Sequence, residues 1–393
     1  MRIAFHCYNT FYRPHLEPVY RLLKERHDCL LTGDLKTVLA FRPDILLVAD
    51  NRYYLYRARL PGTIIVWVRH GFASKRILAR AVTGADFACL SSEWLREDYL
   101  ARGLRPRLGY WITGFVAMDE ALRVPARETS GRDREGGFTL LYAPTWNRHL
   151  GSAGMFPPGW LERLQSAFPE LRLVIKPHPY LPRLFPGVVA AWRKLAAASP
   201  RCHLIEDADA SIYPWFRRAD ALLADASSVI FYYLAMDRPV ILATNPKRRR
   251  DPGYFDPEGP EWTWRDLGDE VTDEAGLHEA VRLAALQPER HREARARYRR
   301  RVFGDLLDAR AAERVAARVH ALADPAPADR AWVEVSWNAI RSLAAWDRRG
   351  GGAPWWFEKT LGLGFFLERF PRLKHGLNRL RSRLLPGVGR VDV

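Results

Sequence analysis

Two histidines lie in short polar segments whose neighbouring residues suit acid–base chemistry. His70 is followed by glycine, which lets a substrate or another backbone segment come close, and a neutral imidazole is well suited to take a proton from a hydroxyl. His178 lies between Pro177 and Pro179, which restrict the loop. With Lys176 nearby, this imidazole is suited to donate to a phosphate oxygen. The alternatives are a loop histidine bonded to its own backbone and a rigid turn whose histidine is incidental.

A third candidate lies in the stretch 219–235, ADALLADASSVIFYYLA. Its pattern predicts a buried strand at Ala221–Ala224, a polar turn, and an amphipathic helix that begins near Val229. Ser227 and Ser228 then lie at a helix N-terminus, where free N–H groups and the positive end of the dipole favour phosphate. We expect Asp225 to belong to the same site. The alternative is that one serine is only an N-cap.

Two charged segments are further candidates for ligand binding. The run Arg248, Arg249 and Arg250 precedes the loop DPGYFDPEG, and guanidinium groups bind phosphates in a forked geometry; a solvated surface run is the alternative. Asp207 and Asp209 form a D-x-D pattern typical of metal-dependent transferases. Because they precede a predicted helix, where aspartate caps well, we favour capping and predict no metal site.

Each of these motifs follows a strand-like run. His70 follows TIIVWV, Thr145 follows the run FTLLY in the segment YAPTW, Lys176 follows LRLVI, and Asp225 follows ALLA. In open parallel sheets, ligands bind outside the carboxyl ends of the strands. One motif from the first half and three from the second are therefore predicted to line one cleft.

Strand-like runs alternate with helical segments along most of the chain, which is typical of βαβ units and a parallel sheet. The fold class predicted is α/β, with two Rossmann-like doubly wound parallel sheets facing each other across a cleft. The polar, charged stretch Pro125–Gly137 predicts a linker. The predicted segments are 1–125, 126–323 and 324–393. The predicted strands are Arg2–Cys7, Cys29–Thr32, Asp44–Ala49, Thr63–Val68, Phe87–Leu90, Phe138–Tyr142, Arg172–Ile175, His203–Ile205, Ala221–Ala224 and Val240–Ala243.

Composition places the chain among globular proteins with an anionic partner. It has 393 residues, of which 48% are hydrophobic, and a formal net charge of +16. Such a charge favours nucleic acid, an anionic membrane surface or a phosphate-bearing substrate; solubility or a basic proteome is the alternative. The four cysteines, at 7, 29, 89 and 202, have no C-x-x-C spacing and are expected to be reduced thiols. With no signal-peptide pattern, we expect a cytoplasmic protein.

The segment after about Asp324 differs in composition from the rest. It is rich in tryptophan, contains RRGGGAP, and ends in a basic stretch in which Leu363, Phe366, Leu367 and Phe370 share one helical face. Basic amphipathic helices flanked by aromatic residues suit an anionic membrane surface. The alternatives are a helix packed on the enzyme body and a partner interface. We expect peripheral association with the cytoplasmic face of the inner membrane.

Several common enzyme motifs are missing from the sequence. It contains no G-x-x-x-x-G-K-[ST], no H-E-x-x-H, no strand-linked G-x-G-x-x-G and no G-x-S-x-G. Their absence argues against a P-loop ATPase, a zinc protease, a dinucleotide enzyme of the usual kind and an α/β-hydrolase.

Taken in order, the motifs resemble the CDP-glycerol glycerophosphotransferases of the teichoic-acid primase and polymerase type, which have a GT-B fold. Similar enzymes also build phosphodiester-linked capsules. Three positions depart from the family pattern: Arg69 stands where tryptophan is usual, Ala226 where an aromatic is usual, and Asp251-Pro252 precedes the GYFD segment. The matching pieces are His70-Gly71, YAPTW (142–146), KPHP (176–179), ADALLADASSVIFYYLAMDRPVI (219–241), GYFD (253–256) and FGDLLDARAAERV (303–315).

The resemblance implies a reaction and roles for the candidate residues. An acceptor hydroxyl attacks the distal phosphorus of a CDP-alditol and CMP leaves, with His70 as the base on the acceptor side. His178 binds the donor pyrophosphate together with the serine turn, and no metal is needed at the nucleotide. The acceptor is lipid-linked and polyanionic. The donor-binding residues expected are Thr145, Lys176, Pro179, Asp225, Ser227 and Ser228, and those expected to bind acceptor or phosphate are Arg69, Arg248, Arg249 and Arg250.

Two other functions stay open at this point. A GT-B glycosyltransferase that uses a nucleotide sugar has the same architecture but cleaves the sugar–phosphate bond. A non-catalytic basic module that binds nucleic acid or membrane explains the charge. Against such a module, the histidines and serines cluster at strand ends, and no nucleic-acid-binding signature with interleaved aromatic residues is present. The donor alcohol also stays open, CDP-ribitol included.

Overall fold

The structure is a computed structural model that describes residues 1–50, 52–57, 59–72, 82–124, 137–252 and 254–348. Most of the predicted linker, residues 125–136, lies outside the described residues. So do the basic amphipathic stretch at residues 349–393 and the glycine of the GYFD segment. The predictions made for these residues stay predictions.

Two six-stranded, all-parallel sheets form the framework. The first has the strand order β2-β1-β3-β4-β5-β6, and the second has the order β12-β11-β10-β7-β8-β9. The strands are β1 (Arg2–His6), β2 (Asp28–Thr32), β3 (Ile45–Val48), β4 (Ile64–Trp67), β5 (Phe87–Leu90), β6 (Gly109–Ile112), β7 (Phe138–Ala143), β8 (Leu171–Ile175), β9 (Cys202–Leu204), β10 (Ala221–Ala224), β11 (Val240–Ala243) and β12 (Asp269–Val271). This is the α/β class predicted from the alternating pattern.

The inner strands β3, β4, β5, β10 and β11 are apolar and buried over their whole length, because helices cover both faces of each sheet. In β3, Leu46 and Val48 enter one core cluster while Ile45 and Leu47 enter another. The longer helices are Arg13–Leu23, Leu35–Phe41, Glu93–Ala101, Trp160–Ala167, Pro186–Ala198, Glu274–Leu286, Arg292–Phe303, Ala311–Ala323 and Arg330–Arg348. The shorter ones are Met118–Arg123, Leu181–Leu184, Tyr213–Arg218, Val229–Tyr233 and Pro260–Thr263. Among the described residues, no helix is both long and apolar enough to cross a bilayer.

The last two described helices return to the first sheet. The helix Ala311–Ala323 buries Val315 and Val319 in the same cluster as Ile3 and Phe5 of β1. The helix Arg330–Arg348 adds Val333 and Ile340 to that cluster. The predicted boundary at residue 323 assigned the helix Ala311–Ala323 to the second half. Its buried side chains pack on the first sheet instead. The tryptophan-rich start of the predicted tail is therefore a helix packed on the enzyme body.

Two strands were not predicted. β6 (Gly109–Ile112) starts with a glycine and keeps three of its four residues half-buried at the sheet edge. β12 (Asp269–Val271) is three residues long and carries two acids. Both are edge strands, where one side faces away from the sheet and the apolar signal is weak.

Strand order fixes where each sheet offers a crevice. The order reverses between β1 and β3 in the first sheet and between β7 and β10 in the second. At such a switch point the connections leave on opposite faces, so a crevice opens outside the carboxyl ends of the strands. Thr145 follows β7 and Asp225 follows β10, so both lie at the switch point of the second sheet.

Candidate active site

The loop after β4 and the turn after β10 touch each other. The hydroxyl of Ser228 donates to the backbone oxygen of Phe72 at 2.9 Å. A Cβ built on Gly71 would lie 3.6 Å from the Ser228 Oγ. The predicted close approach next to His70 is therefore made by the serine turn of the opposite half. This contact joins the carboxyl ends of the two sheets.

A tyrosine ring packs against each of the two histidines. The rings of His70 and Tyr12 meet edge-to-face, with centroids 4.7 Å apart. On the second half, the rings of His178 and Tyr180 are 5.1 Å apart. Burial raises the pKa of the Tyr12 hydroxyl. His70 follows β4 and His178 follows β8, so both histidines lie beyond the carboxyl ends of strands that meet at the junction.

The hydrogen bond that His70 makes fixes its tautomer. Its Nδ1 pairs with the backbone oxygen of Ala49, the residue that follows β3. Because a carbonyl only accepts, Nδ1 carries the proton and Nε2 keeps its lone pair. Burial lowers the pKa of His70 to about 4, although the bond to Ala49 opposes that shift. The imidazole is therefore neutral at pH 7 and has a free basic nitrogen.

His178 has the opposite hydrogen-bond pattern. Its Nδ1 accepts from the backbone N–H of Tyr180 at 3.2 Å. The proton of the neutral ring is consequently on Nε2, which is a donor. The ring is half-buried and packs near Trp146, at a centroid distance of 6.4 Å. Pro179, also half-buried, holds the short loop between the two partners of this hydrogen bond.

Asp225 organises the switch point of the second sheet. Its fully buried carboxylate accepts from the Thr145 N–H at 3.1 Å and from the backbone and hydroxyl of Ser152, both at 2.8 Å. The N–H of Ala226 adds a further bond of 2.7 Å. Burial raises its pKa, while these hydrogen bonds oppose the shift. Asp225 therefore holds the loop after β7 to the end of β10 and places Thr145 beside the serine turn.

The two serines of the turn have different partners. Ser227 Oγ accepts from the Val229 N–H at 3.3 Å, a short-range bond that closes the turn. Ser228 occupies the N-cap position, but its hydroxyl makes no cap bond and reaches Phe72 instead. The predicted helix begins at Val229 and has five residues, followed by a 3-10 turn. Its dipole is correspondingly small, because the dipole sums over aligned peptides.

Lys176 lies at the carboxyl end of β8 and is largely buried. Its Nζ donates to the backbone oxygen of Asp207 at 2.6 Å, and burial lowers its pKa. The Asp207 carboxylate accepts from the Asp209 N–H at 2.9 Å, so it caps a turn. The prediction that these aspartates cap the following helix is wrong, because the N-cap of Tyr213–Arg218 is Ile212. Asp209 also accepts from the Thr10 hydroxyl of the first half. The described residues contain no group of three or more potential metal ligands.

Arg69 is placed differently from the prediction. Its side chain is 4% exposed, with the guanidinium 4.7 Å from the ring centre of Phe72 and 5.6 Å from that of Tyr99. Its Nε donates to the backbone oxygen of Gly71 at 2.5 Å, and its Nη1 has no partner among the described residues. Arg69 therefore supports the loop that carries His70, and its buried guanidinium is not exposed to bind an acceptor, contrary to the prediction.

The arginine run lies on the same rim as the serine turn. Arg248, Arg249 and Arg250 form a 3-10 turn after β11, the strand next to β10. Arg249 and Arg250 are exposed, and neither guanidinium has a hydrogen-bond or ion-pair partner among the described residues. The adjoining Asp251 accepts from Asn147 at 2.9 Å, which ties this turn to the loop after β7. Their position suits an anion bound at the switch point.

Sequence reasoning missed two charged residues of the site. Asp50 follows β3, is 3% exposed, and has one carboxylate oxygen without a partner among the described residues. The strand-end rule that found His70 predicts this position too. Arg265 donates to the backbone oxygen of Asp225 at 3.0 Å and so lies beneath the serine turn. Burial lowers its pKa to about 10. Its place in the site depends on long-range packing that no local pattern reveals.

Comparison with solved structures supports the fold. The wall teichoic acid polymerase TagF matches at a TM-score of 0.62 and 13% identity, over 81% of this chain and 88% of that one. A TagF variant soaked with CDPG matches at a TM-score of 0.59 and 13% identity, over 81% of this chain and 88% of that one. A UDP-N-acetylglucosamine 2-epimerase matches at a TM-score of 0.53 and 15% identity, over 83% of this chain and 96% of that one. These similarities confirm the predicted two-sheet, GT-B-like fold.

The family assignment comes from a different comparison. No curated protein sequence matches this chain. The family model described as CDP-glycerol:poly(glycerophosphate) glycerophosphotransferase matches residues 119–321, just over half of the chain. That range includes KPHP, the serine turn and the arginine run. The chain belongs to this family of glycerophosphotransferases and is a transferase enzyme.

Proposed function

We propose that this enzyme moves glycerol phosphate from CDP-glycerol to a hydroxyl of a lipid-linked or polymeric acceptor at the cell envelope and releases CMP. Two observations support the proposal together. The first is membership of the glycerophosphotransferase family. The second, which carries the mechanism, is a pair of histidines with opposite hydrogen-bond patterns on two sides of one junction.

His70 is the general base in this proposal. Its Nδ1 is held by the Ala49 carbonyl, which leaves the lone pair of Nε2 free to take the acceptor proton. The lowered pKa keeps the ring neutral, so the base form is fully populated at pH 7. A base with so low a pKa is weak in the ground state. Negative charge on an incoming acceptor raises its basicity when the substrates bind.

The second half binds the donor. His178 donates from Nε2 to the pyrophosphate, where charge builds up as CMP leaves. Arg249 and Arg250 contribute positive charge on the same rim, and Lys176 adds to the field from its buried position. Because these groups are cationic or N–H donors, we expect no metal requirement. Turnover that is unchanged by a chelator supports this expectation, and turnover restored only by a divalent cation contradicts it.

The bond changes balance as a single substitution at phosphorus. The acceptor oxygen forms a bond to the phosphorus that carries glycerol. The bond between that phosphorus and the oxygen bridging to the cytidylate breaks. The bridging oxygen leaves with CMP and keeps the electron pair, while the acceptor proton passes to His70 Nε2. The new linkage is a phosphodiester.

The experiment is a donor panel that scores which nucleotide is released. CDP-glycerol, CDP-ribitol and several nucleotide sugars are incubated with purified enzyme and a membrane acceptor preparation. We expect CMP from CDP-glycerol, together with a new phosphodiester in the acceptor. Release of a nucleoside diphosphate with a new glycoside would instead identify a glycosyltransferase. No release from any donor would favour the non-catalytic binding module.

We further propose that the enzyme works at the cytoplasmic face of the inner membrane, held by the basic residues after 348. Leu363, Phe366, Leu367 and Phe370 supply the apolar face in the sequence. Deletion of the residues after Gly352 should weaken binding to vesicles that contain anionic phospholipid while turnover on a soluble acceptor analogue is retained. Vesicle binding equal to that of the full chain would contradict this role.

A further inference from the structure

A second cavity lies away from the junction, on one face of the second sheet. Its volume is about 540 Å³, and its lining includes Thr139 at the start of β7, Arg172 on β8 and His203 on β9. Trp215 and Arg218 of the helix Tyr213–Arg218 line the opposite wall. The candidate catalytic residues follow the carboxyl ends of the strands, whereas Thr139 and Arg172 lie near the amino ends. We refer to this cavity as the basic groove.

The groove is positively charged. Three arginines and one histidine line it, and none of its described lining residues is acidic. Arg172 and Arg218 are exposed, and their guanidinium groups have no hydrogen-bond or ion-pair partner among the described residues. Arg201 is bound to backbone oxygens, with a bond of 2.5 Å to that of Pro169. The one acid bonded to the lining, Asp220, accepts from the Thr139 N–H at 2.8 Å.

The strand register explains why these side chains share one face. Thr139 pairs with Arg172, and Val174 pairs with His203, so the side chains of all four point to the same side of the sheet. Elsewhere on this face helices cover the strands, and Leu141 and Leu222 are buried there. Arg172, the one charged residue in the run LRLVI, therefore indicates in the sequence that no helix covers this part of the sheet face.

The aromatic wall of the groove is already occupied by protein groups. The Trp215 ring lies 5.0 Å from that of His203, tilted by 31°. The Arg218 guanidinium lies 5.2 Å from the Trp215 ring centre. Stacking on the indole fixes the direction of the Arg218 guanidinium and of the His203 ring. It leaves less of the indole for a nucleobase, so the groove suits phosphate charge better than a nucleotide.

We propose that the basic groove binds a phosphodiester chain, namely the acceptor or product polymer of the reaction. This inference rests on the proposed function and names where the polymer lies. Arg172 and His203 sit on neighbouring strands two register positions apart, so their Cα atoms are about 8 Å from each other. A guanidinium and an imidazole separated in this way fit successive single charges along a chain better than one compact anion.

The position of the groove relative to the cleft agrees with this occupant. Arg172 and Lys176 project to the same face of the β8 segment and are four residues apart. Four residues of strand span about 13 Å. A chain whose end reacts at the junction can therefore have an earlier segment in the basic groove.

Binding of an end-labelled synthetic glycerol phosphate oligomer to the full chain tests the proposal without any turnover. We expect Arg172→Gln combined with Arg218→Gln to weaken binding roughly tenfold, because two charge-assisted contacts are lost. The matched control is Lys24→Gln combined with Arg26→Gln, two exposed cations on the first half, with binding within about twofold of the parent chain. Circular dichroism verifies that both variants are folded.

The outcomes separate this inference from the proposed function. Oligomer binding equal in the groove variant and in the control would overturn the inference, even in an enzyme that releases CMP from CDP-glycerol. A groove variant that loses binding to anionic phospholipid vesicles and keeps oligomer binding would assign the groove to the membrane and also overturn it. If the groove variant loses oligomer binding and the parent enzyme does not use CDP-glycerol, the polymer-binding role of the groove is supported and the proposed donor is wrong.

Discussion

The first and second halves each place one histidine at the junction, and the two side chains are prepared in opposite ways. The Nδ1–H of His70 donates a hydrogen bond to a backbone carbonyl, and its Nε2 keeps a lone pair. The Nδ1 of His178 accepts a hydrogen bond from a backbone N–H, and its Nε2 carries the proton. The same side chain is thus set as a base on one side and as a donor on the other. Backbone groups alone determine this difference.

The comparison explains why neither histidine can replace the other. A base must be unprotonated, and burial ensures this for His70 by lowering its pKa to about 4. A donor to pyrophosphate needs an N–H that stays in place while charge develops. The loop between Pro177 and Pro179 provides that rigidity for His178.

Replacing the base should have the largest effect. For His70→Ala, we expect kcat for CMP release to fall by about 10² to 10⁴, the usual contribution of general acid–base catalysis. KM for CDP-glycerol should change little, because His70 lies on the acceptor side. Steady-state kinetics with CDP-glycerol measures both values. A variant with normal kcat would remove His70 from the mechanism.

The matched control for both histidines is His278→Gln, on the helix Glu274–Leu286. This side chain is near Glu274 and Phe168, on the side of the second sheet away from the junction. Its replacement should leave CMP release within about twofold of the parent enzyme, as for most surface substitutions.

Replacing the donor should have a somewhat smaller effect with a different signature. For His178→Ala, we expect kcat/KM for CDP-glycerol to fall by about 10² to 10³, as when one donor to a developing charge is lost. His178→Gln retains an N–H donor and should recover part of this loss. If alanine and glutamine are equally impaired, donation by the ring is not the reason for the defect.

The half-buried His70, with its lowered pKa, should make stability depend on pH. Its pKa in the folded chain is about 4, against about 6.5 when unfolded, so the unfolded chain binds more protons between these values. The free energy of unfolding should therefore fall as the pH drops through this window, by about 2 kcal/mol from pH 7 to pH 5 for this residue. Thermal melts of the parent chain and His70→Gln measure it. Identical pH slopes would contradict the half-buried, neutral imidazole.

The contact between the halves should have the smallest effect. Ser228→Ala removes the hydrogen bond to Phe72, which is worth about 1 kcal/mol. We expect a fall in melting temperature of about 1 °C and a severalfold lower kcat/KM. The control is Ser166→Ala, which removes only a local bond to the Glu162 backbone oxygen on an exposed helix face. Equal kcat/KM values for the two variants would show that the bridge does not serve the site.

The sequence identifies most of the framework because buried parallel strands are continuous apolar runs. Phe87–Leu90, Ala221–Ala224 and Val240–Ala243 have the predicted bounds. Edge strands such as Asp269–Val271 lack that signal. The switch point, and with it the position of Asp225, follows from strand order, which the sequence pattern alone does not determine.

For the site, the strand-end rule found His70, Lys176 and the serine turn, because it depends only on where apolar runs stop. It could not reveal partners distant in sequence. Ser228 bonds to a residue 156 positions away, and Arg69 is enclosed by rings of Phe72 and Tyr99. Whether a polar side chain faces a ligand or another part of the chain depends on such contacts.

Long-range ¹H–¹⁵N NMR spectra of the full chain with ¹⁵N-labelled histidine test the central claim most directly. Such spectra report which imidazole nitrogen carries the proton, and the His70→Gln and His178→Gln variants assign the two signals. The account predicts an Nδ1–H ring at His70 that stays neutral down to about pH 5, and an Nε2–H ring at His178. The same tautomer at both positions, or a His70 ring that titrates near pH 6.5, would contradict it.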